Sequence, residues 1–242
     1  MRLWIDTDIG DNPDDAVALV AAVAHPDVDV VGISTSGGKT EWRADLARQL
    51  VDIDAVPGDR PDDLAARFVA ANVEALLAIG PLTNIAALTA LDLAVPTLTV
   101  MGGLFEPVRH RGRVRHVEWN FGSDPAATAV VAERVPMTLV PLDVTVAMRV
   151  EPQMLDDLVA AAPRLAPEIE RWSAEHDDPV VLHDPLALLV ALGDADVRVE
   201  SRRFVVDPHD GSVRPTDSGS EHSVVVGVDA PRALTRVVEL LR

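Results

Sequence analysis

The 242 residues carry 21 basic and 39 acidic side chains, a formal net charge of −18, with 48% apolar and 25% charged residues. These proportions exclude wholesale disorder, and the acidic excess argues against non-specific binding to nucleic acid or an anionic membrane, whose phosphates such a field repels. There is no cysteine, which excludes a disulfide framework, a thiolate nucleophile and cysteine-bound zinc.

The length predicts one domain spanning residues 1–242. Residues 1–10 lack the apolar stretch of a signal peptide, and no run of about eighteen apolar residues occurs. A cytoplasmic protein that neither crosses nor binds a membrane is therefore expected.

Strand-like and helix-like segments alternate from the start. Residues 3–5 form a short apolar run that ends in an acidic turn, and 14–23 (DDAVALVAAV) are helix formers stopped by His25-Pro26. The β-branched run 28–35 reads as a strand ending in Ser-Gly-Gly. Residues 40–51 and 62–71 read as helices. Residues 74–79 read as a buried strand cut short by Gly80-Pro81, and 82–91 as a helix. A strand at 97–101 stops at Gly102-Gly103, and a polar loop follows. Residues 124–133 are predicted helical and 137–142 a strand. Helical patterns cover 152–175 and 184–192, short antiparallel strands occupy 202–228, and a helix covers 232–241. This alternation predicts an α/β fold: a mainly parallel open sheet with helices on both faces.

Five carboxylates fall within the ten residues after the first strand: Asp6, Asp8, Asp11, Asp14 and Asp15. Ligands of open α/β sheets bind at the carboxyl ends of the strands, where this segment lies. Asp6 and Asp8 are two apart and share a face of an extended strand, and Gly10 and Pro13 turn the chain back. Carboxylates this crowded repel unless a proton or a cation intervenes, and an all-oxygen set suits calcium or magnesium. Capping of the first helix by solvated aspartates is the plainer reading.

Three further segments place polar groups after apolar strands. LTVMGG (98–103) ends in two glycines that let backbone approach a ligand. Glu118-Trp119-Asn120 offers a carboxylate and an amide around an aromatic. His183-Asp184-Pro185 opens an apolar helix, where Asp184 also reads as an N-cap.

With these residues in view, the chain resembles the nucleoside hydrolase family of the inosine-uridine-preferring type. The matching segments, in the family's order, are DTDIGDNPDDA (6–16), LAIGPLTNIAAL (77–88), VMGG (100–103), VEWNFGSDPAA (117–127), VPLDVT (140–145) and HDPLA (183–187). The resemblance covers about residues 3–192. It implies a Rossmann-like nucleoside hydrolase fold, one calcium ion per chain, and hydrolysis of the N-glycosidic bond of a small-molecule ribonucleoside. It implies that Asp8, Asp15 and Asp184 ligate calcium, with the backbone carbonyl of Val100. Asp8 would also be the general base. Asp14, Glu118, Trp119, Asn120 and Asp184 would surround the ribose, with Lys39 at the pocket's edge. Asp6 would stand behind the metal ligands, and His183 would act near the leaving base. A homo-oligomer, dimer or tetramer, is expected with it.

The sequence departs from the family pattern in three places. Asp11-Asn12-Pro13 lengthen the acidic loop, Gly38-Lys39 stands where members usually carry Gly-Asn, and the segment from 51 to 74 is short. Two rival readings follow. Asp-x-Asp after a first strand also resembles haloacid-dehalogenase-type phosphohydrolases, but those need a late lysine, and Lys39 is this chain's single one. A ribose-binding protein with little turnover is the non-enzymatic alternative. Finally, residues 109–116 hold four arginines beside the expected pocket. They read either as a solvated or subunit-facing basic loop, or as cations that meet an anionic part of the substrate.

Overall fold

The computed structural model describes residues 1–242. β1 (Arg2–Thr7) leads through α1 (Pro13–Ala24) to β2 (Asp29–Thr35), and α2 (Thr40–Val51) leads to β3 (Ala55–Pro57). α3 (Pro61–Ala70), β4 (Ala75–Ala78), α4 (Thr83–Ala90) and β5 (Thr97–Met101) follow. Then come the hairpin strands β6 (Val108–His110) and β7 (Arg113–Arg115), the short helix α5 (Trp119–Ser123), α6 (Pro125–Arg134) and β8 (Met137–Val140). Four helices come next: α7 (Leu142–Thr145), α8 (Pro152–Ala161), α9 (Ala166–Glu175) and α10 (His183–Leu192). The chain closes with β9 (Val197–Val206), β10 (Val213–Pro215), β11 (Ser220–Val228) and α11 (Ala230–Leu240).

Nine strands form one sheet in the order β10-β9-β11-β8-β5-β4-β1-β2-β3. Every pair from β11 to β3 is parallel, and β9 alone runs the opposite way, pairing antiparallel with both β11 and the edge strand β10. After β3 the chain returns to the other side of β1 to lay down β4. The strand order therefore reverses between β1 and β4, the position where open α/β sheets form their ligand crevice.

Side-chain alternation divides the buried residues between two faces. Leu3, Ile5, Leu77, Met101 and Val140 pack under α1, α10 and α11, while Trp4, Leu76, Val100 and Leu139 pack under α3, α4 and α6. α1 is buried along Pro13 to Ala22 because sheet and outer helices enclose it, which explains its unbroken apolar run. No helix is long and apolar enough to cross a membrane.

The predicted elements recur with small shifts, and the differences have local causes. The strand read over 137–142 ends at Val140, because Pro141 has no N–H for the ladder, and Leu142 begins α7. The helical stretch 152–175 splits at Pro163 into α8, a 3-10 turn (Pro163–Leu165) and α9. The tail strands start at Val197, earlier than expected, and β11 is antiparallel to β9 but parallel to β8. β3, α5 and the hairpin β6–β7 carry no clear pattern in the sequence. The hairpin turns through Arg111 (φ 48) and Gly112 (φ 68), both in the left-handed region that a two-residue hairpin turn requires.

Candidate active site

β1 fixes the first part of the site by alternation. Thr7 faces α1, and its Oγ1 donates to Asp15 Oδ1 at 2.5 Å. Asp6 faces the opposite side, where its Oδ1 accepts from Ser34 Oγ at 2.5 Å and Asn84 Nδ2 at 2.6 Å. Asp6 is thus a fully buried anchor behind the strand end; burial raises its pKa to about 6 against those hydrogen bonds. Gly80, after β4, packs on this turn: a Cβ there would lie 2.8 Å from the Asp8 nitrogen, so only glycine allows the approach.

α1 begins with Pro13, which brings Asp14 and Asp15 into its first turn beneath Asp8. Asp184 arrives from far along the chain, in the first turn of α10. Carboxylate oxygens of Asp14, Asp15 and Asp184 lie within 4.8 Å of one another, and all three residues are buried. Burial, and then their mutual repulsion, push Asp15 and Asp184 well above the usual carboxylate range. Burial raises Asp14 to about 6, opposed chiefly by the Arg111 charge, and Asp8 to about 7, opposed by Arg43. Asp14 Oδ1 is buried with no hydrogen-bond partner. A shared cation removes both the repulsion and the orphaned acceptor, so these residues fit a hard, oxygen-seeking metal.

Across a cavity of about 830 Å³ stands the segment before α5. Glu118 caps that helix: Oε1 accepts from Asn120 N at 2.8 Å, and Oε2 accepts from Phe121 N at 3.0 Å and Gly103 N at 3.1 Å. Burial nonetheless lifts Glu118 to about 7. Asn120 Nδ2 donates to the carbonyls of Ile79 and Met101, both at 3.1 Å, which leaves Oδ1 for the cavity. Trp119 stands at the rim, 71% exposed, between this cavity and a smaller polar one lined by Ser36, Gly58 and Asn84.

His183 closes the inner end. Its Nδ1 is 2.7 Å from Thr145 Oγ1, and its ring lies edge-on to His110 at 5.1 Å. Desolvation holds His183 well below its ordinary pKa and His110 at about 4, so both rings are neutral near pH 7.

The cavity thus gathers Asp8, Asp14, Asp15, Glu118, Trp119, Asn120, His183 and Asp184 from the sequence expectation. Val100 lies near the end of β5 with its side chain buried and its neighbour Met101 in the cavity wall; the expectation for it concerns the backbone carbonyl alone. One expected position lies elsewhere. Lys39 sits in a left-handed conformation before α2, exposed, with its Nζ 5.8 Å from the Trp42 ring centroid and away from the cavity.

Sequence reasoning passed over Arg43. This buried guanidinium donates to the carbonyls of Asp8, Ile9 (2.7 Å) and Gly38 (2.9 Å), and to Asp11 Oδ2 at 2.7 Å. It clasps the acidic loop to the turn after β2. Its signal was present, since positions 43, 47 and 50 share the helix face that buries Ala47 and Leu50.

Comparisons with known proteins agree with this geometry. The family model described as "Inosine-uridine preferring nucleoside hydrolase" matches residues 47–235. An uncharacterized Schizosaccharomyces pombe protein, C1683.06c, is 25% identical over 226 residues, covering 71% of each chain. Among solved structures, a plant nucleoside hydrolase superposes with a TM-score of 0.84 at 21% identity, covering 99% of this chain and 98% of its own. The Bacillus anthracis inosine-uridine preferring nucleoside hydrolase gives 0.80 at 20% identity, covering 100% and 99%. A purine-preferring ribonucleoside hydrolase from Gardnerella vaginalis gives 0.76 at 21%, covering 100% and 99%. At these identities the structural matches speak to the fold; the family model, spanning most of the chain, speaks to descent. The chain belongs to the inosine-uridine preferring nucleoside hydrolase family, a metal-dependent family of N-glycosyl hydrolases that cleave nucleosides.

Proposed function

We propose that this protein hydrolyses the N-glycosidic bond of ribonucleosides with one calcium ion per chain, and that residues 1–242 act as one domain. The observation that carries the reading is the buried trio Asp14, Asp15 and Asp184, with the orphaned Asp14 Oδ1, facing Glu118 and Asn120 across one cavity at the strand-order reversal. Asp15 and Asp184 hold the ion, flanked by Asp8 and Asp14. When bound, calcium supplies Lewis acidity and cancels the repulsion among these carboxylates.

Asp8, beside them, accepts a proton from the attacking water. Thr7 orients Asp15 from the strand, and Arg43 fixes the backbone on which Asp8 sits. The carboxylates of Asp14, Asp184 and Glu118 and the Asn120 Oδ1 accept from ribose hydroxyls. Their negative charge also favours the oxocarbenium-like sugar of the transition state. His183 stands at the leaving-base end. In the tautomer where Thr145 Oγ1 donates to Nδ1, His183 Nε2–H faces the departing heterocycle. Trp119 flanks the ribose from the rim.

The test is release of free base from common ribonucleosides by the purified protein, with calcium and after chelation. Calcium-dependent release that disappears in Asp15→Ala supports the reading. Nucleoside binding without release would make the chain a binding protein instead.

A further inference from the structure

The hairpin β6–β7 carries four arginines, and the fold sorts them. Arg109 and Arg113 are exposed, whereas Arg111 and Arg115 line the cavity. The Arg111 guanidinium lies over the Trp172 ring, 4.4 Å from its centroid, and Trp172 itself stacks on His176 at 3.7 Å.

Arg111 makes one side-chain hydrogen bond, from Nη2 to the amide oxygen of Asn12 at 3.1 Å. Its Nε is buried without a partner. Asp14 and Asp178 attract it through space, yet neither accepts a hydrogen bond from it. A guanidinium has five N–H groups, and a half-buried one with a single neutral acceptor is under-used. Arg43, by contrast, spends its donors on four carbonyls and a carboxylate.

The surroundings say what is missing. His183, His110, Arg111, Trp172 and His176 succeed one another along one wall. In the reaction proposed above, this is the wall the leaving base meets, and Glu118 and Asn120 form the other. A planar cation braced on an aromatic ring suits bidentate recognition of a carboxylate on a flat heterocycle.

We propose that Arg111, assisted by Arg115, selects N-ribosides whose leaving base carries a carboxylate. The proposal rests on the hydrolase reading and names its substrate class. The bond changes are those of hydrolysis alone. The water oxygen bonds to C1′ and its proton passes to Asp8, while the C1′–N bond breaks with its electron pair leaving on the base. The carboxylate is unchanged throughout.

The test uses substrate pairs matched in shape and different in charge, with the calcium-loaded enzyme at low and high salt. One pair is the ribosides of pyridine-3-carboxylate and pyridine-3-carboxamide; another is uridine-6-carboxylate and uridine. Uridine 5′-monophosphate places the anion on the sugar instead. The carboxylate member of a pair is expected to lead in kcat/KM by about tenfold or more at low salt, and by less at high salt. Arg111→Gln should abolish that lead, and Arg113→Gln, on the outer side of the same hairpin, should keep it. Equal kcat/KM within both pairs, an undiminished lead in Arg111→Gln, or an equal lead for the 5′-phosphate would overturn the proposal. In each of those cases base release still upholds the hydrolase reading. No release of any base overturns that reading, and this inference with it.

Discussion

Arg43 donates through Nη1 to the carbonyl oxygen of Asp8, across 35 residues of sequence, and thereby ties the loop at the carboxyl end of β1 to helix α2. The same guanidinium reaches Ile9, Gly37, Gly38 and Asp11. The shape of the acidic loop is therefore set from outside it.

Replacing Arg43 by Met strands several buried carbonyls at once. Unpartnered buried acceptors cost about 1–3 kcal/mol each, so a loss of about 3 kcal/mol or more in stability is expected. Calcium affinity should drop by about 10–100-fold, as when support behind a metal ligand is removed. Arg43→Lys, with its charge but no fork, should recover only part of either. Denaturant unfolding and calcium titration measure both, and wild-type values in Arg43→Met would contradict the clasp.

The metal assignment predicts stoichiometric calcium in the native protein. Asp15→Ala and Asp184→Ala should each purify with little or none. Elemental analysis decides it: full occupancy in either variant would remove that residue from the site.

Asp8→Asn keeps the volume of the side chain and removes the base. General base catalysis contributes about 10²–10⁴-fold, so kcat should fall at least that far while the far-ultraviolet circular dichroism stays native. Asn120→Ala deletes an acceptor toward the sugar and should act on kcat/KM more than on the fold. A wild-type kcat in Asp8→Asn would refute the proposed mechanism.

The chelated protein should lose stability as pH rises. Glu118 (about 7 in the fold against a usual 4.5) and Asp14 (about 6 against 3.8) hold protons more tightly when folded. Their contribution is full below the unfolded values and is lost as pH climbs through the folded ones. Between about pH 5 and about pH 8 the Tm of the metal-free protein should therefore decline, at roughly 2–4 °C per kcal/mol lost. Calcium competes with these protons, so the gap between loaded and chelated protein should widen over the same range. Calorimetry with and without chelator tests this; a Tm that rises with pH after chelation would invert the sign.

Much of the site was legible because its residues sit where local rules act. Asp14 and Asp15 follow Pro13 into a helix, Asp184 precedes Pro185 at another, and Glu118 caps a third. These are strand ends and helix starts, which periodicity and turn residues mark. Arg43 was passed over, although it shares the buried face of α2 with Ala47 and Leu50, because a helix arginine looks solvated until the loop it clasps is in place. Lys39 misled for the opposite reason: the left-handed backbone before α2 carries it over Trp42, a fact of local conformation that the spacing does not reveal. The hairpin β6–β7 was unreadable because its turn is Arg-Gly, not the Asn-Gly or Asp-Gly that usually signals one. Its sorting of four arginines into two facing in and two facing out depends on that turn.

The carboxylates near the amino end, Asp14 and Asp15, meet their partner only at Asp184, on the helix that packs against α1. A chain still being synthesised has no complete ion site until α10 has been made and docked. A metal ion held by these carboxylates therefore cannot seed the assembly of β1 and α1. It captures the finished arrangement, and any product cut short before α10 folds, if it folds at all, without that help.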